Sequence, residues 1–378
     1  MKDGKIQVAV IGCGNRACTV VGNLLKDSRH EVEIAAVYDP DQSECCHSLQ
    51  EWDVIHAEIT SGPEEAICFP GVDWVMIFSP NAFHKEHILA AFAAKKNVFS
   101  EKPLATSIED CQEIYQAWLQ SGVIFATGFV LRYGPIYRKV KELLDSGKFG
   151  RLLAIDGSEH ITSTHGGYIM RNWRRHTKIA GPHILEKCCH DLDLINWFCG
   201  SLPSRVASFG GRMFFTSENR FLEQKYGDNA FYTWRDPKAV KSAFEDDTDL
   251  MDTQVSIAEY RNGIKVSFSS SMANAVPERR LFFHCTEGSI IVELYQKILQ
   301  YRRLGEEAYS VLNIKTDGHG GGDAVIMKEL FDTMKNGTDP KCGGSEGLES
   351  AVFALALDQA AVTGTVVDLE PVWKKLER

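Results

Sequence analysis

Apolar and polar positions follow two different patterns along this chain, and the change between them divides it. Residues 6–11, apolar except for Gln7, read as a continuous strand of the kind buried on both faces. Residues 31–38, 72–78, 97–99 and 123–130 are further short apolar runs. Helical stretches lie between them, up to about Lys26, over 85–95, and after Ser107. In the last of these, Cys111, Ile114, Tyr115 and Trp118 recur at i, i+3, i+4 and i+7, which marks one buried face. Ser107 is a good N-cap with Asp110 in the capping-box position, and Gly122 is placed to end the helix. Strands alternating with helices predict an α/β domain on a doubly wound parallel sheet over residues 1–130.

After a helix over 135–144 the period changes. Residues 152–161, 205–215, 253–260, 263–271, 280–285 and 289–293 read as strands with no helices between most of them. That pattern predicts a second, α+β domain over 131–378, built on a mostly antiparallel sheet. Residues 216–246 are polar and aromatic without a clear period and read as an insertion or lid. Helices over 323–335 and 346–363 complete the chain.

With 378 residues, two domains are the natural division. A net charge of −10 argues against nucleic acid or an anionic membrane as partner, while leaving room for a phosphate-bearing cofactor held by local donors. No apolar run approaches membrane-spanning length, and the first residues lack an apolar signal core. The 11 cysteines are scattered beside apolar residues, and a reduced, cytoplasmic protein is expected.

Four stretches and the single residue Asp39 carry candidate chemistry. Gly12-Cys13-Gly14-Asn15-Arg16-Ala17 follows the first strand and opens a helix, which is the dinucleotide fingerprint in its proper context. Gly12 allows the tight turn, Gly14 lets the backbone approach a pyrophosphate, and amides at the helix start receive the charge. Asp39 ends the second strand, where an acid binds ribose hydroxyls. The Asp-Pro pair can also simply open a turn. Ser79-Pro80-Asn81 ends the 72–78 strand. Lys102 stands at the carboxyl end of another strand in Glu101-Lys102-Pro103, where ligands bind in open α/β sheets; an ordinary surface lysine is the plainer alternative.

Residues 183–193 begin a helix read as continuing through Trp197. Glu186, His190 and Asp193 then fall at i, i+4 and i+7 on one face. Polar groups on an otherwise apolar helix must be used or paired, and a histidine one turn from a carboxylate is a tuned proton acceptor. A satisfied buried polar cluster is one alternative. A metal site on His183, Glu186, His190 and Asp193 is another, although no metal is assigned.

Together these stretches resemble the Gfo/Idh/MocA family of oxidoreductases, relatives of glucose–fructose oxidoreductase and inositol dehydrogenase, over nearly the whole chain. The most specific parts are Glu101-Lys102-Pro103 following the Pro80-Asn81-x-x-His84 segment, and the helix carrying His190 and Asp193. The resemblance implies a Rossmann domain, a C-terminal α+β domain with a large open sheet, and assembly as a homodimer or homotetramer through that sheet. It implies hydride transfer between nicotinamide and a secondary alcohol or ketone of a sugar, sugar derivative or cyclitol, with NAD favoured over NADP by Asp39. Lys102 and His190 would flank the reacting carbon, with Glu186 orienting His190. Ser79, Pro80, Asn81, His84, Glu101, Trp173 and Arg174 would join Gly12, Gly14, Asn15, Arg16, Asp39 and Lys102 on the cofactor side. Tyr168, Arg174 and Asp193 would join Lys102 and His190 around the substrate. His319-Gly320-Gly321-Gly322-Asp323 resembles a segment of carbohydrate-acting members and reads on its own as a helix start with Asp323 near the N-cap. The sequence departs from the family pattern at Glu186, where aspartate is usual, at Cys188, where glycine is usual, and at Lys187, often apolar. Two other functions stay open: an NAD-dependent glycosidase or lyase that oxidises its sugar transiently, and a non-catalytic dinucleotide-binding regulator.

Overall fold

The structure, a computed structural model, describes residues 4–234, 236, 239–245, 247–313 and 319–378. The chain forms two compact units, Met1–Tyr133 with Gly321–Ala351, and Gly134–Gly320 with Val352–Arg378. The sequence reading places a single boundary at 130; the fold adds the return of a later segment to the first unit.

In the first unit, β1 (Ile6–Ile11), β2 (Val32–Tyr38), β3 (Glu58–Ile59), β4 (Trp74–Ile77), β5 (Asn97–Ser100) and β6 (Phe125–Thr127) form a six-stranded sheet. Its order is β3-β2-β1-β4-β5-β6, and every pair is parallel. The crossovers are α1 (Asn15–Ser28), α2 (Gln42–Glu51), α3 (Pro63–Ile67), α4 (His84–Ala93) and α5 (Ile108–Ser121). Every residue of β1 is buried, including Gln7, the one polar side chain in it, whose Nε2 donates to Glu33 on β2 at 3.2 Å. The order reverses beside β1, so the glycine-rich turn leaves the sheet at its topological switch point. The run 123–130 pairs only as β6. Gly128 donates to the Ser100 carbonyl at 2.9 Å, and residues Val130–Tyr133 then coil into a 3₁₀ turn.

The second unit holds α6 (Pro135–Asp145), β7 (Leu152–Thr162), α7 (Ser163–Arg171), α8 (Thr177–Ala180), α9 (His183–Glu186) and α10 (Cys189–Cys199). It continues with β8 (Pro203–Gly211), α11 (Phe221–Tyr226), β9 (Thr253–Tyr260), β10 (Lys265–Asn274), β11 (Glu278–Cys285) and β12 (Gly288–Glu293). Two strands that the sequence reading missed follow, β13 (Ile298–Arg303) and β14 (Ser310–Asn313). The chain then forms α12 (Gly322–Asn336) in the first unit and α13 (Gly344–Thr363), within which the division at 351 falls. It ends with β15 (Val367–Asp368) and α14 (Glu370–Lys375). The nine-stranded sheet runs β14-β13-β12-β11-β7-β10-β9-β8-β15, antiparallel except for the parallel β7–β10 pair.

The strand expected over 205–215 stops at Gly211 because the Asp252 carboxylate collects the amides of Met213, Phe214 and Phe215 at 2.9, 2.8 and 2.8 Å and turns the chain. Beyond it, the aperiodic stretch is a packed element. Phe215, Phe231, Ala243, Phe244 and Leu250 form a satellite core with Ile169 and Met170 of α7. Among the described residues no helix is long and apolar enough to cross a membrane.

Candidate active site

The first unit presents a dinucleotide cradle. Gly12 has φ +86°, and a Cβ there would lie 2.7 Å from the Phe78 carbonyl carbon and the Ser79 nitrogen, so only glycine lets this turn pass the end of β4. A Cβ on Gly14 would meet nothing within 4 Å. Gly14 is also the N-cap of α1, no side chain caps it, and the first turn holds no acid. Open space over uncapped amides fits a pyrophosphate. Asp39 accepts the amides of Cys13 and Asp41, each at 2.9 Å, which fixes the glycine-rich turn to the end of β2. A carboxylate has further lone pairs, so these bonds leave it able to accept from ribose hydroxyls.

Arg16, in the first turn of α1, is committed to carboxylates: its Nε lies 2.6 Å from Glu101 Oε1 and its Nη1 2.7 Å from Asp323 Oδ1. The sequence reading gave Arg16 and Glu101 to the cofactor; the fold joins them to each other. Gly128 leaves space for the Glu101 carboxyl, which a Cβ there would approach to 2.9 Å, and Glu101 Oε2 accepts the Lys102 amide at 3.1 Å. Lys102 is half-buried, and the Lys102–Pro103 peptide is cis. Asp323 sits inside the first turn of α12, whose N-cap is Gly321.

His84 is buried, with Nδ1 2.7 Å from the Pro103 carbonyl and Nε2 2.9 Å from the Ser79 carbonyl. It ties the turn after β4 to the turn after β5. Burial holds its imidazole below the usual histidine range, against the pull of those carbonyls. Ser79 Oγ in turn meets His87 Nδ1 at 2.9 Å, and Asn81 is buried in a 3₁₀ turn. The fold thus gathers Gly12, Gly14, Asp39, Ser79, Pro80, Asn81 and Lys102 at the carboxyl ends of the parallel strands, with His84 and Glu101 bracing the turns.

In the second unit the expected single helix from His183 is two. α9 ends at Glu186, Lys187 and Cys188 turn, and α10 begins at Cys189. The one-face relation of Glu186 to His190 and Asp193 therefore does not extend across the turn. Two ionic contacts hold this turn and the helix start after it. Lys187 Nζ lies 3.9 Å from Glu159 on β7, and Asp191 takes a two-point bond from Arg279 on β11, at 2.8 and 2.7 Å. Arg279 Nε also lies 3.2 Å from Glu159, which accepts the Tyr295 hydroxyl at 3.0 Å. Burial holds the Glu159 carboxyl up to about 7, with Arg279 pulling against it and Asp191 adding to it. No local pattern announced this network, because its members come from two strands, a loop and a helix start.

His190 and Asp193 are buried on α10, and the ring of His319 lies 6.0 Å from that of His190 between centroids. Glu186 accepts Arg174 Nε at 3.1 Å. The Arg174 guanidinium lies 4.2 Å from the Trp173 ring centroid, and its Nη1 is 3.4 Å from the Tyr168 hydroxyl. So Trp173, Arg174, Tyr168 and Glu186 form one polar-aromatic group, joined by residues the sequence reading did not select, His165 and Trp234. Among the described residues no group of three or more His, Cys, Asp or Glu side chains is arranged to hold a metal ion.

Comparison with known proteins fits this geometry. Residues 6–129 match the model of an oxidoreductase family with an NAD-binding Rossmann fold, and residues 137–291 match the GFO/IDH/MocA C-terminal domain. A 1,5-anhydro-D-fructose reductase of Ensifer adhaerens is 24% identical over 316 residues, 81% of this chain and 83% of the relative. A 2,7-anhydro-N-acetylneuraminate hydratase of Escherichia coli is 28% identical over 181 residues, which span 48% of this chain and 46% of that protein. Among solved structures, levoglucosan dehydrogenase in complex with NADH and levoglucosan superimposes with a TM-score of 0.81 at 17% identity, covering 97% of this chain and 100% of the other. That likeness is one of fold.

Proposed function

Because this chain belongs to the GFO/IDH/MocA oxidoreductase family, we propose that it is an NAD-dependent dehydrogenase acting on a secondary alcohol, or the corresponding ketone, of a sugar, sugar derivative or cyclitol. The observation that carries the reading is that a chain matched in both units has a lysine at the carboxyl end of β5 and a histidine in the first turn of α10. Bound NAD supplies the hydride acceptor. His190 takes the proton of the substrate hydroxyl, and the Lys102 ammonium holds and polarises the same oxygen. The two roles can be exchanged without changing the rest. Glu186 positions Arg174 against Trp173 and Tyr168, which line the substrate.

The test is to incubate the enzyme with NAD and a panel of hexoses, hexosides and cyclitols. Stoichiometric NADH formed with a free sugar or cyclitol supports the reading. Aglycone released from a chromogenic hexoside without net NADH, and lost when NAD is removed, overturns it in favour of a net non-redox reaction. The hydratase relative is what makes that second outcome worth measuring.

Cofactor preference follows from Asp39. Its carboxylate suits ribose hydroxyls and repels a 2′-phosphate, and neither neighbour in Tyr38-Asp39-Pro40 is an arginine. NADH binds more tightly than NADPH, and Asp39→Ala narrows the gap; fluorescence titration showing equal or tighter NADPH binding sinks the assignment.

Self-association uses the outer face of the second sheet. On β9 the usual polarity is inverted: Gln254 and Ser256 are buried, while Val255 and Ile257 are 56% and 59% exposed. Phe209 on the neighbouring β8 is 77% exposed. Apolar side chains pointing outward from a regular strand call for a covering surface, and a second copy supplies one by symmetry. Light scattering gives a dimer or tetramer mass that falls for Val255→Lys/Ile257→Lys; a monomer mass for the wild type removes the proposal.

A further inference from the structure

The second unit holds an aromatic wall, centred on Trp234, that extends beyond the groups used in the reaction above. His165 and Tyr168 lie three residues apart on α7 and so share a face. The indole of Trp234 meets both edge-on, with centroids 4.8 Å from His165 and 5.0 Å from Tyr168. Trp234 is nonetheless 47% exposed, an unusual expense for so large an apolar surface.

The placement of Trp234 is built. Three residues before it, Phe231 is buried in the satellite core, and a Cβ on Gly167 of α7 would sit 2.0 Å from the Phe231 carbonyl oxygen. Ser163 also donates to the Ala230 carbonyl at 2.8 Å. The backbone leading to Trp234 is therefore pressed onto the helix that carries His165 and Tyr168.

The polar groups beside the indole suit hydroxyls. Burial first, and then Lys187, hold the His165 imidazole down to about 2, so the ring is neutral. A neutral imidazole offers one donor and one acceptor, which is what a hydroxyl needs on its two sides. The Tyr168 hydroxyl adds another such group. The cations nearby already face carboxylates, Arg174 on Glu186 and Lys187 on Glu159, which weakens the pull they would exert on an anionic ligand.

We propose that Trp234 is the wall of a sugar-ring subsite whose polar rim is His165 and Tyr168, and that its ligand is a neutral pyranose or pyranoside laid with its C–H face on the indole. This rests on the carbohydrate reading above and narrows it, setting aside sugar phosphates and sugar acids. Trp234 acts on specificity and leaves the hydride transfer itself to other groups.

The experiment is saturation-transfer NMR on the whole protein, with and without NAD. The probes are the methyl α- and β-glycosides of glucose, galactose and mannose, with glucose 6-phosphate and glucuronate as charged counterparts. Wild type transfers saturation to the ring C–H protons of at least one neutral pyranoside, and more than to the charged probes. Trp234→Ala and Trp234→Leu weaken that binding by about fivefold or more, and Trp234→Phe keeps most of it. Leucine fills the space without a ring, so it carries the comparison if the alanine variant melts early. For a turned-over sugar, the loss falls mainly on KM rather than kcat. Unchanged binding by both Trp234→Ala and Trp234→Leu, preference for the charged probes, or no transfer to any neutral pyranoside each overturns the proposal. Wild type that binds pyranosides but never forms NADH defeats the dehydrogenase reading and leaves the subsite standing. Wild type that forms NADH from a sugar bound equally well by both ring-less variants does the reverse.

Discussion

Lys102→Ala and His190→Ala each lose on the order of 10²-fold or more in turnover on a sugar that the wild type oxidises, the scale expected when one acid–base or oxyanion-stabilising group is removed. The two variants separate in their other properties. His190 belongs to the second unit and Lys102 to the strand end that carries the cofactor turns. NADH affinity is therefore unchanged within error in His190→Ala and falls modestly in Lys102→Ala. His190→Gln keeps most of the buried volume on α10, so a loss there comes from proton transfer and not from collapse of the helix. Lys102→Arg restores charge but not shape, and recovers little. Steady-state kinetics with a parallel NADH titration read all four. If Lys102→Ala and His190→Ala both retain near-full turnover, these residues are structural and the assignment fails.

How much of this was legible depended on how local the cause was. β1 and the glycine-rich turn are set by their own residues: a strand apolar at every position but Gln7, then two glycines where the backbone must turn and stay bare. The Ser107 cap is likewise local, accepting the Asp110 amide at 3.1 Å. The same logic fails where the partner is distant. His84 is expected on the cofactor side, yet its buried ring lies between the carbonyl of nearby Ser79 and that of Pro103, which comes from the turn after β5. The turn at Lys187 and Cys188 interrupts a sequence with helical character throughout, and the ionic contacts of Lys187 and Asp191 reach strands more than twenty residues away in each direction. Glu159 occupies one position of a strand that looked half-exposed, and its burial depends on Arg279 and Tyr295 arriving much later in the chain. Phe215, Phe231 and Phe244 show no period because they pack as a satellite core and belong to no helix or strand together.

Arg279→Met destabilises the protein by about 3–5 kcal/mol at pH 8, the cost of leaving buried carboxylates without their cation. Arg279 and Asp191 are almost wholly buried and joined at two points, with Glu159 fully buried beside them. Removing the guanidinium leaves Asp191 without its two donors and Glu159 with Lys187 at 3.9 Å as its remaining cation contact. The sign of the pH dependence is fixed by the direction of the carboxyl shift. In the unfolded chain Glu159 titrates near its ordinary 4.5, and in the folded protein burial holds it up to about 7. Loss of Arg279 removes an interaction that lowers it, so the folded value rises further. A carboxyl whose folded value is raised costs nothing below its unfolded value, and its penalty grows as pH rises toward the folded one. The Glu159 part of the deficit is therefore absent near pH 5 and largest near pH 8, so the total deficit of Arg279→Met is smaller at pH 5 than at pH 8, as urea melts at the two pH values read directly. Adding Glu159→Gln and Asp191→Asn to Arg279→Met removes the charges that the cation served, and recovers most of the loss at pH 8. A deficit below about 1 kcal/mol, or one equal at both pH values, shows that water or Lys187 compensates these acids and that the network does not hold the start of α10 in place.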